Sequence, residues 1–251
     1  MKKIAFALEK GGTAKTTSAV HVAHALALAG RSVLLVDTDV QDQCAAHLGL
    51  PQFGAGLADI LLGRKSPRQC IVRARPNLYL LPAGADLPLA KENMSEIAEK
   101  AGGDSAGIMA AALSFAEAGN LDAVVMDTAP GTDKLLLSVL AYADLIVVPL
   151  PPEMMAVRGL AKFRKTLSAM GRRADRLLPT VYDRRVGKTE RIMSKLKEHY
   201  NGRLLAEIPY CAKISEAAGA GRTVFECSPG HKAAAGYKAA ADSLMNGGEN
   251  G

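Results

Sequence analysis

The chain has 251 residues, 49 % of them hydrophobic, enough for one large α/β domain with a sizeable core. No run of 18 apolar residues occurs, so no membrane span is expected. The apolar run after Lys2 and Lys3 is too short for a secretory signal, so a cytoplasmic protein is expected. Four scattered cysteines, Cys44, Cys70, Cys211 and Cys227, form no Cys-x-x-Cys pair, which argues against a zinc site, a redox motif or a disulfide framework. The net charge of +6 is unevenly spread. Residues 158–203 hold fourteen Lys/Arg against four Asp/Glu, a basic segment that suits a polyanion such as nucleic acid.

Residues 4–8 (Ile-Ala-Phe-Ala-Leu) are long enough for one buried strand. Residues 9–17 follow as Glu-Lys-Gly-Gly-Thr-Ala-Lys-Thr-Thr, and residues 17–29 are apolar at helical spacing (Val20, Ala23, Ala27) and stopped by Gly30. Strand, glycine turn and helix is the context a phosphate-binding loop requires. Turn N–H groups and the positive end of the helix dipole point at one spot, where an anion is stabilised. Lys15 would add positive charge near the β- and γ-phosphates, and the Thr16 hydroxyl would be a ligand for Mg²⁺, a hard cation that prefers oxygen. The usual loop has glycine where Ala14 and Glu9 stand. What remains is Lys10-Gly11-Gly12 followed by Lys15-Thr16-Thr17, and this resembles the deviant Walker A loop of the ParA/MinD family of ATPases. The resemblance implies a P-loop NTPase fold of that type: a three-layer α/β/α architecture around a mostly parallel twisted sheet. It implies ATP and Mg²⁺ as cofactors, with the nucleotide bound by Lys10, Gly11, Gly12, Thr13, Ala14, Lys15, Thr16 and Thr17. A helix-like backbone at Ala14 would accept its methyl, so nucleotide binding is expected to survive the change.

Residues 32–36 (Ser-Val-Leu-Leu-Val) are a second strand without polar alternation, as in a parallel sheet covered on both faces. The strand runs into Asp37-Thr38-Asp39-Val40-Gln41, at the carboxyl end where open α/β sheets bind ligands. This segment resembles the family's Asp-x-Asp-x-Gln, with Val40 in place of a common proline. Asp39 is thereby implied to position the attacking water. Residues 41–48 read as a short helix, 53–62 as a loop and short helix, and 78–83 as the strand and Pro-Ala segment of the family. Residues 84–106 suggest no role. Residues 108–118 read as a helix. Residues 121–126 (Leu-Asp-Ala-Val-Val-Met) are a buried strand closed by Asp127, the Walker B pattern, whose carboxylate would hold Mg²⁺. The turn after Asp127 would sense the γ-phosphate.

Residues 144–150 are another strand. Glu153 and Gly159 fall where the family has Glu and Gly at the start of its next helix. Residues 154–170 are helical, with Val157, Leu160, Phe163 and Leu167 on a core stripe and Met154 and Met155 toward a partner subunit. Residues 177–183 read as a strand whose Pro179 prefers the edge or end of the sheet. Residues 188–200 form a basic helix with Lys188, Arg191 and Lys195 on one face; by itself it is equally a solvated amphipathic surface. Residues 207–217 resemble the family's Ile-Pro-Arg-Asn-x-Arg-x-Ser-Glu-Ala. That likeness implies that Pro209 and Tyr210 border adenine and that Lys213 contacts DNA non-specifically, although Tyr210 and Cys211 replace the usual Arg and Asn. A last helix at 230–244 precedes a Gly/Asn-rich tail, expected to be flexible over 246–251.

The resemblance runs from Lys2 to about Leu244, giving one ATPase domain over residues 1–245. Lys10 is ten residues from the start, so no amino-terminal DNA-reading domain is expected. The family likeness implies an ATP-bound homodimer in which Lys10 reaches the neighbour's phosphates and Lys10, Lys15 and Asp39 carry hydrolysis. It implies binding to non-specific DNA through Lys188, Arg191, Lys195 and Lys213, hence nucleoid association. It also implies slow hydrolysis stimulated by a ParB-type or analogous adaptor with a basic amino-terminal tail, moving a plasmid, chromosome or other cargo. A MinD-like membrane regulator would need a terminal amphipathic helix with bulky apolar residues, whereas residues 233–244 are mostly alanine, so no membrane partner is expected. A metal-handling ATPase would need cysteines poised across a dimer axis, and a tyrosine kinase a tyrosine-rich tail.

Overall fold

The computed structural model describes residues 1–183 and 185–246. Its strands are β1 (Lys2–Phe6), β2 (Val33–Asp37), β3 (Val72–Arg75), β4 (Leu78–Leu81), β5 (Ala123–Asp127), β6 (Leu145–Leu150) and β7 (Arg176–Pro179). They form one sheet in the order β3-β4-β2-β5-β1-β6-β7. Every neighbouring pair is parallel except β3 with β4, where the partners run antiparallel. Successive strand side chains point to opposite faces. Ala5, Leu34, Val36, Val124 and Met126 therefore enter one apolar core, and Ile4, Phe6, Val33, Leu35, Ala123 and Val125 enter the other. Two covered faces explain why these strands read as unbroken apolar runs.

One face is covered by α1 (Lys15–Leu28), α2 (Gln43–His47), α13 (Val224–Cys227) and α14 (Lys232–Asn246), with α12 (Ala212–Gly219) against α2 and α13. The other face carries α3 (Leu57–Leu61), α4 (Pro67–Cys70), α5 (Leu87–Glu92), α6 (Met94–Lys100), α7 (Gly107–Ala112), α8 (Ser114–Ala118), α9 (Lys134–Tyr142), α10 (Met154–Ala169) and α11 (Gly187–His199). This is the α/β fold expected, three layers with a mostly parallel sheet. β7 lies at the sheet edge and ends on Pro179, so the missing N–H interrupts no central ladder.

Several expectations are corrected. The single helix over 108–118 is two helices, α7 and α8, separated at Leu113 (φ −107°, ψ 14°). The edge strand β3 and helices α4, α5, α6, α9, α12 and α13 were not anticipated. The last helix begins at Lys232 and continues to Asn246, and the rest of the expected tail lies outside the described residues. The phosphate loop between β1 and α1, the acids closing β2 and β5, and the start of α10 all sit at the carboxyl ends of strands in the middle of the sheet. That is where ligands bind in open α/β sheets.

Candidate functional site

The loop from residue 9 to residue 14 turns β1 into α1. Ala14 precedes the helix in left-handed geometry (φ 65°, ψ 34°) and no side chain caps α1. No acidic residue lies in the first turn, so the positive end of the helix dipole is uncompensated and the site favours an anion. The Ala14 geometry corrects the expectation of a right-handed backbone there. A Cβ in the left-handed region costs roughly 1–2 kcal/mol, which explains why glycine is usual at this position.

Lys15 is buried, and its Nζ donates to the Lys10 carbonyl at 3.0 Å, across the mouth of the loop. Burial pushes the Lys15 ammonium down, while the negative charges of Asp127 and Asp39 push it up. The strand register sets Asp37 beside Asp127 across the β2–β5 pair. Both are fully buried. Burial raises the Asp127 carboxyl well above its ordinary range, the Asp37 charge adds to this, and Thr16 and Lys15 oppose it. Asp37 is also raised by burial, although its oxygens accept the N–H groups of Asp39 (2.9 Å) and Cys44 (2.9 Å). The Cys44 thiol donates to Asp127 Oδ2 at 3.8 Å, and Asp127 Oδ1 is buried with no hydrogen-bond partner. An unpartnered carboxylate oxygen in a dry site is costly unless a cation meets it. With the Thr16 hydroxyl acting on the same carboxylate, the oxygen donor set fits a hard divalent cation. Asp39 is half-buried and accepts the Gln41 N–H at 3.0 Å.

Lys10 takes a different partner. Its Nζ donates to Glu153 Oε1 at 2.7 Å, beside the start of α10. Glu9 is held by the same helix: Oε1 accepts the Thr166 hydroxyl at 2.6 Å and Oε2 pairs with Lys162 at 2.9 Å. A Cβ at Gly159 would meet Lys10 Cβ at 3.3 Å, so glycine makes room for the lysine stem. The turn after Asp127 is fastened to the loop by the Gly131 N–H donating to the Glu9 carbonyl at 2.8 Å.

Beside the loop lies a cavity of about 160 Å³ lined by Ala14, Thr17, Thr180, Val181, Pro209 and Tyr210 among others. Pro209 and Tyr210 also line a larger cavity of about 530 Å³. The structure thus gathers residues 10–17, Asp39, Asp127, Pro209 and Tyr210 around one end of the sheet. The four basic residues are not gathered in the same way. Lys188, Arg191 and Lys195 are exposed on α11 in one helix layer, and Lys213 is exposed on α12 in the other. Sequence reasoning did not assign Asp37, Cys44 or Val181 to the site. Asp37 was signalled by its place in the Asp-Thr-Asp segment, and nothing in the sequence marked Cys44 or Val181.

A protein-family model described as an AAA domain matches residues 1–179. The chain is 31 % identical over 252 residues to the chromosome-partitioning ATPase Soj of Thermus thermophilus, spanning 98 % of this chain and 96 % of that one. It is 30 % identical over 234 residues to the chromosome partitioning protein ParA of Caulobacter vibrioides, spanning 89 % and 86 %. The chain belongs to the ParA/MinD family of ATPases. Among solved structures it is similar to cobyrinic acid a,c-diamide synthase of Mycobacterium smegmatis, solved with an ATP analogue and magnesium. That match is 29 % identical with a TM-score of 0.79, covering 98 % of this chain and 94 % of that one. MinD of Pyrococcus horikoshii shares the fold at 22 % identity and TM-score 0.77, covering 98 % and 96 %. In this ParA/MinD ATPase, among the described residues, no helix is long and apolar enough to cross a membrane.

Proposed function

We propose that this ParA/MinD-family ATPase positions cargo on DNA. ATP joins two copies, the dimer grips duplex DNA without sequence preference, and hydrolysis stimulated by a ParB-type or analogous adaptor releases it. The observation that supports this most is the uncapped start of α1 with Lys15 beside it and the unpartnered Asp127 oxygen below. In this reading residues 10–17 bind the phosphates, with Lys15 serving the nucleotide of its own subunit. Thr16 and Asp127 hold Mg²⁺, which when bound supplies charge neutralisation on the phosphate oxygens. Pro209 and Tyr210 border the base, and Asp39 orients the attacking water. Lys10 leaves Glu153 and reaches the partner's phosphates, adding positive charge where negative charge builds during transfer. Lys188, Arg191, Lys195 and Lys213 contact DNA phosphates. Pairing two copies doubles those contacts and roughly doubles the slope of log K against log salt, so the nucleotide state becomes DNA affinity.

The test is static light scattering of purified protein with a non-hydrolysable ATP analogue and Mg²⁺, followed by binding to plain duplex DNA. The expected result is a doubled mass and DNA binding that appears only with the analogue and weakens in Lys213→Glu. A molecule that binds the analogue but keeps its single-chain mass overturns the proposal.

A further inference from the structure

Helices α10 and α11 leave a cleft of about 280 Å³ between them, away from the phosphate loop's own contacts. Its floor is apolar: Val157 and Leu160 from α10, Ile192 and Leu196 from α11. Its rim is cationic. Arg164 and Lys195 line it and no carboxylate does. Helix α10 carries four basic residues and no acid over its whole length. On α11, Glu190 is engaged by the Tyr182 hydroxyl. Among the described residues, neither Arg164 nor Lys195 has a carboxylate partner; Arg164 donates only to the Tyr200 hydroxyl, at 3.4 Å. Met154 stands at one end of the cleft, 48 % exposed.

We infer that this cleft is the docking site for an acidic amphipathic helical segment of a partner protein. An apolar floor between two helices accepts side chains spaced i, i+3/i+4 and i+7 along one face of a third helix. A rim of unpaired cations then selects carboxylates on that helix's flanks and repels wrong partners. The other occupants fit less well. Nucleic acid satisfies the rim but offers no aliphatic side chains to the floor. A second copy of this face brings cation to cation, and a basic tail meets the same repulsion. The cleft thus takes a segment of opposite charge to the basic adaptor tail that the family likeness implies. The inference shares Lys195 with the proposed DNA contacts but otherwise stands on the cleft; Ala161, which is given no part in DNA or nucleotide binding, lets the two fail separately.

The chain contains no tryptophan, so a peptide carrying one reports binding without background. The probe is an acidic amphipathic peptide of about five helical turns, with leucines and one tryptophan on a single stripe and glutamates on the flanks. Its control has the same composition in an order that breaks the stripe. The titration uses the full chain without nucleotide. The expected result is a blue-shifted emission with a dissociation constant on the order of micromolar, lost for the control peptide. Affinity should fall at least about tenfold in Ala161→Glu, which places bulk and negative charge at an exposed cleft position, and in Lys195→Glu, equivalent to about 1.4 kcal/mol. Three results overturn the inference. One is equal binding of the two peptides, or none. A second is undiminished binding to Ala161→Glu with its circular dichroism intact. The third is loss of self-association or of duplex DNA binding in Ala161→Glu with no peptide binding by the wild type, which assigns the cleft to a second copy or to nucleic acid.

Discussion

At the scale of single residues, Ala14 shows how strain marks a site. Among the described residues, only four non-glycines have positive φ, and two of them, Ala14 and Val181 (φ 55°), line the same small cavity. Val181 is β-branched and exposed, so neither intrinsic preference nor burial of its side chain explains its backbone. Strained residues of this kind cluster where ligands bind. For Ala14→Gly, relief of left-handed strain gains roughly 1–2 kcal/mol, and the freer unfolded chain returns about 0.4–1 kcal/mol. The net expectation is stabilisation on the order of 1 kcal/mol, a rise in melting temperature of about 2–4 °C for a chain of this size. Thermal denaturation without nucleotide checks it, and a lower melting temperature would show that the methyl packs better than it strains. The alanine was legible in the sequence, but its conformation was not, because residue type alone does not give φ. The places of Lys10, Lys15, Thr16, Asp39 and Asp127 were legible because they fall at strand-to-helix junctions that the sequence marks clearly. Cys44 was not, because the β2–β5 register and the turn of α2 bring it to Asp127 from 83 residues away.

At the scale of elements, α1 is tied to the carboxyl-terminal helices by a buried histidine. His21 Nδ1–H donates to the Thr17 carbonyl at 2.7 Å, its Nε2 accepts the Val224 N–H at 3.1 Å, and its ring stacks on Tyr237 at 4.7 Å. Both nitrogens are committed, so the ring is neutral, and burial pushes its pKa down to about 4. The ordinary value is about 6.5. Between those values the unfolded chain takes the proton and the folded chain does not. The stabilisation is therefore complete above about pH 6.5 and declines as pH falls toward 4, by about 3 kcal/mol in all. Urea denaturation at pH 7.5 and 4.5 should show a steeper loss for the wild type than for His21→Gln. Equal pH dependence in the two would remove His21 as the cause. The same elements show where sequence patterns run out. Central strands declare themselves because both their faces are buried. β3 reads Val-Arg-Ala-Arg and is half-exposed at the edge, so it offers no apolar run. The break between α7 and α8 falls at Leu113, a fully buried residue with no glycine or proline to announce it.

At the scale of the whole molecule, the proposed dimer would compete with an internal contact. Lys10 cannot serve a neighbour while it is paired with Glu153 at 2.7 Å. The pair is partly exposed, 30 % for the lysine side chain and 56 % for the glutamate, so it is worth at most about 1 kcal/mol. Two such pairs would break per dimer, so Glu153→Gln should strengthen analogue-dependent dimerisation, by up to about thirtyfold, with the monomer still folded. Sedimentation across a concentration series measures this. A weaker dimer in the variant would place Glu153 among the contacts that hold two copies together.

Helix α10 is gripped at the phosphate loop by Glu153 and Lys10, and by Lys162 and Thr166 on Glu9. The same helix forms one wall of the cleft against α11. One helix thus touches the phosphate loop along one side and walls the cleft along another. Were the proposed acidic segment and a nucleotide both to lean on this helix, whatever factor one imposed on the other's affinity would be returned in full.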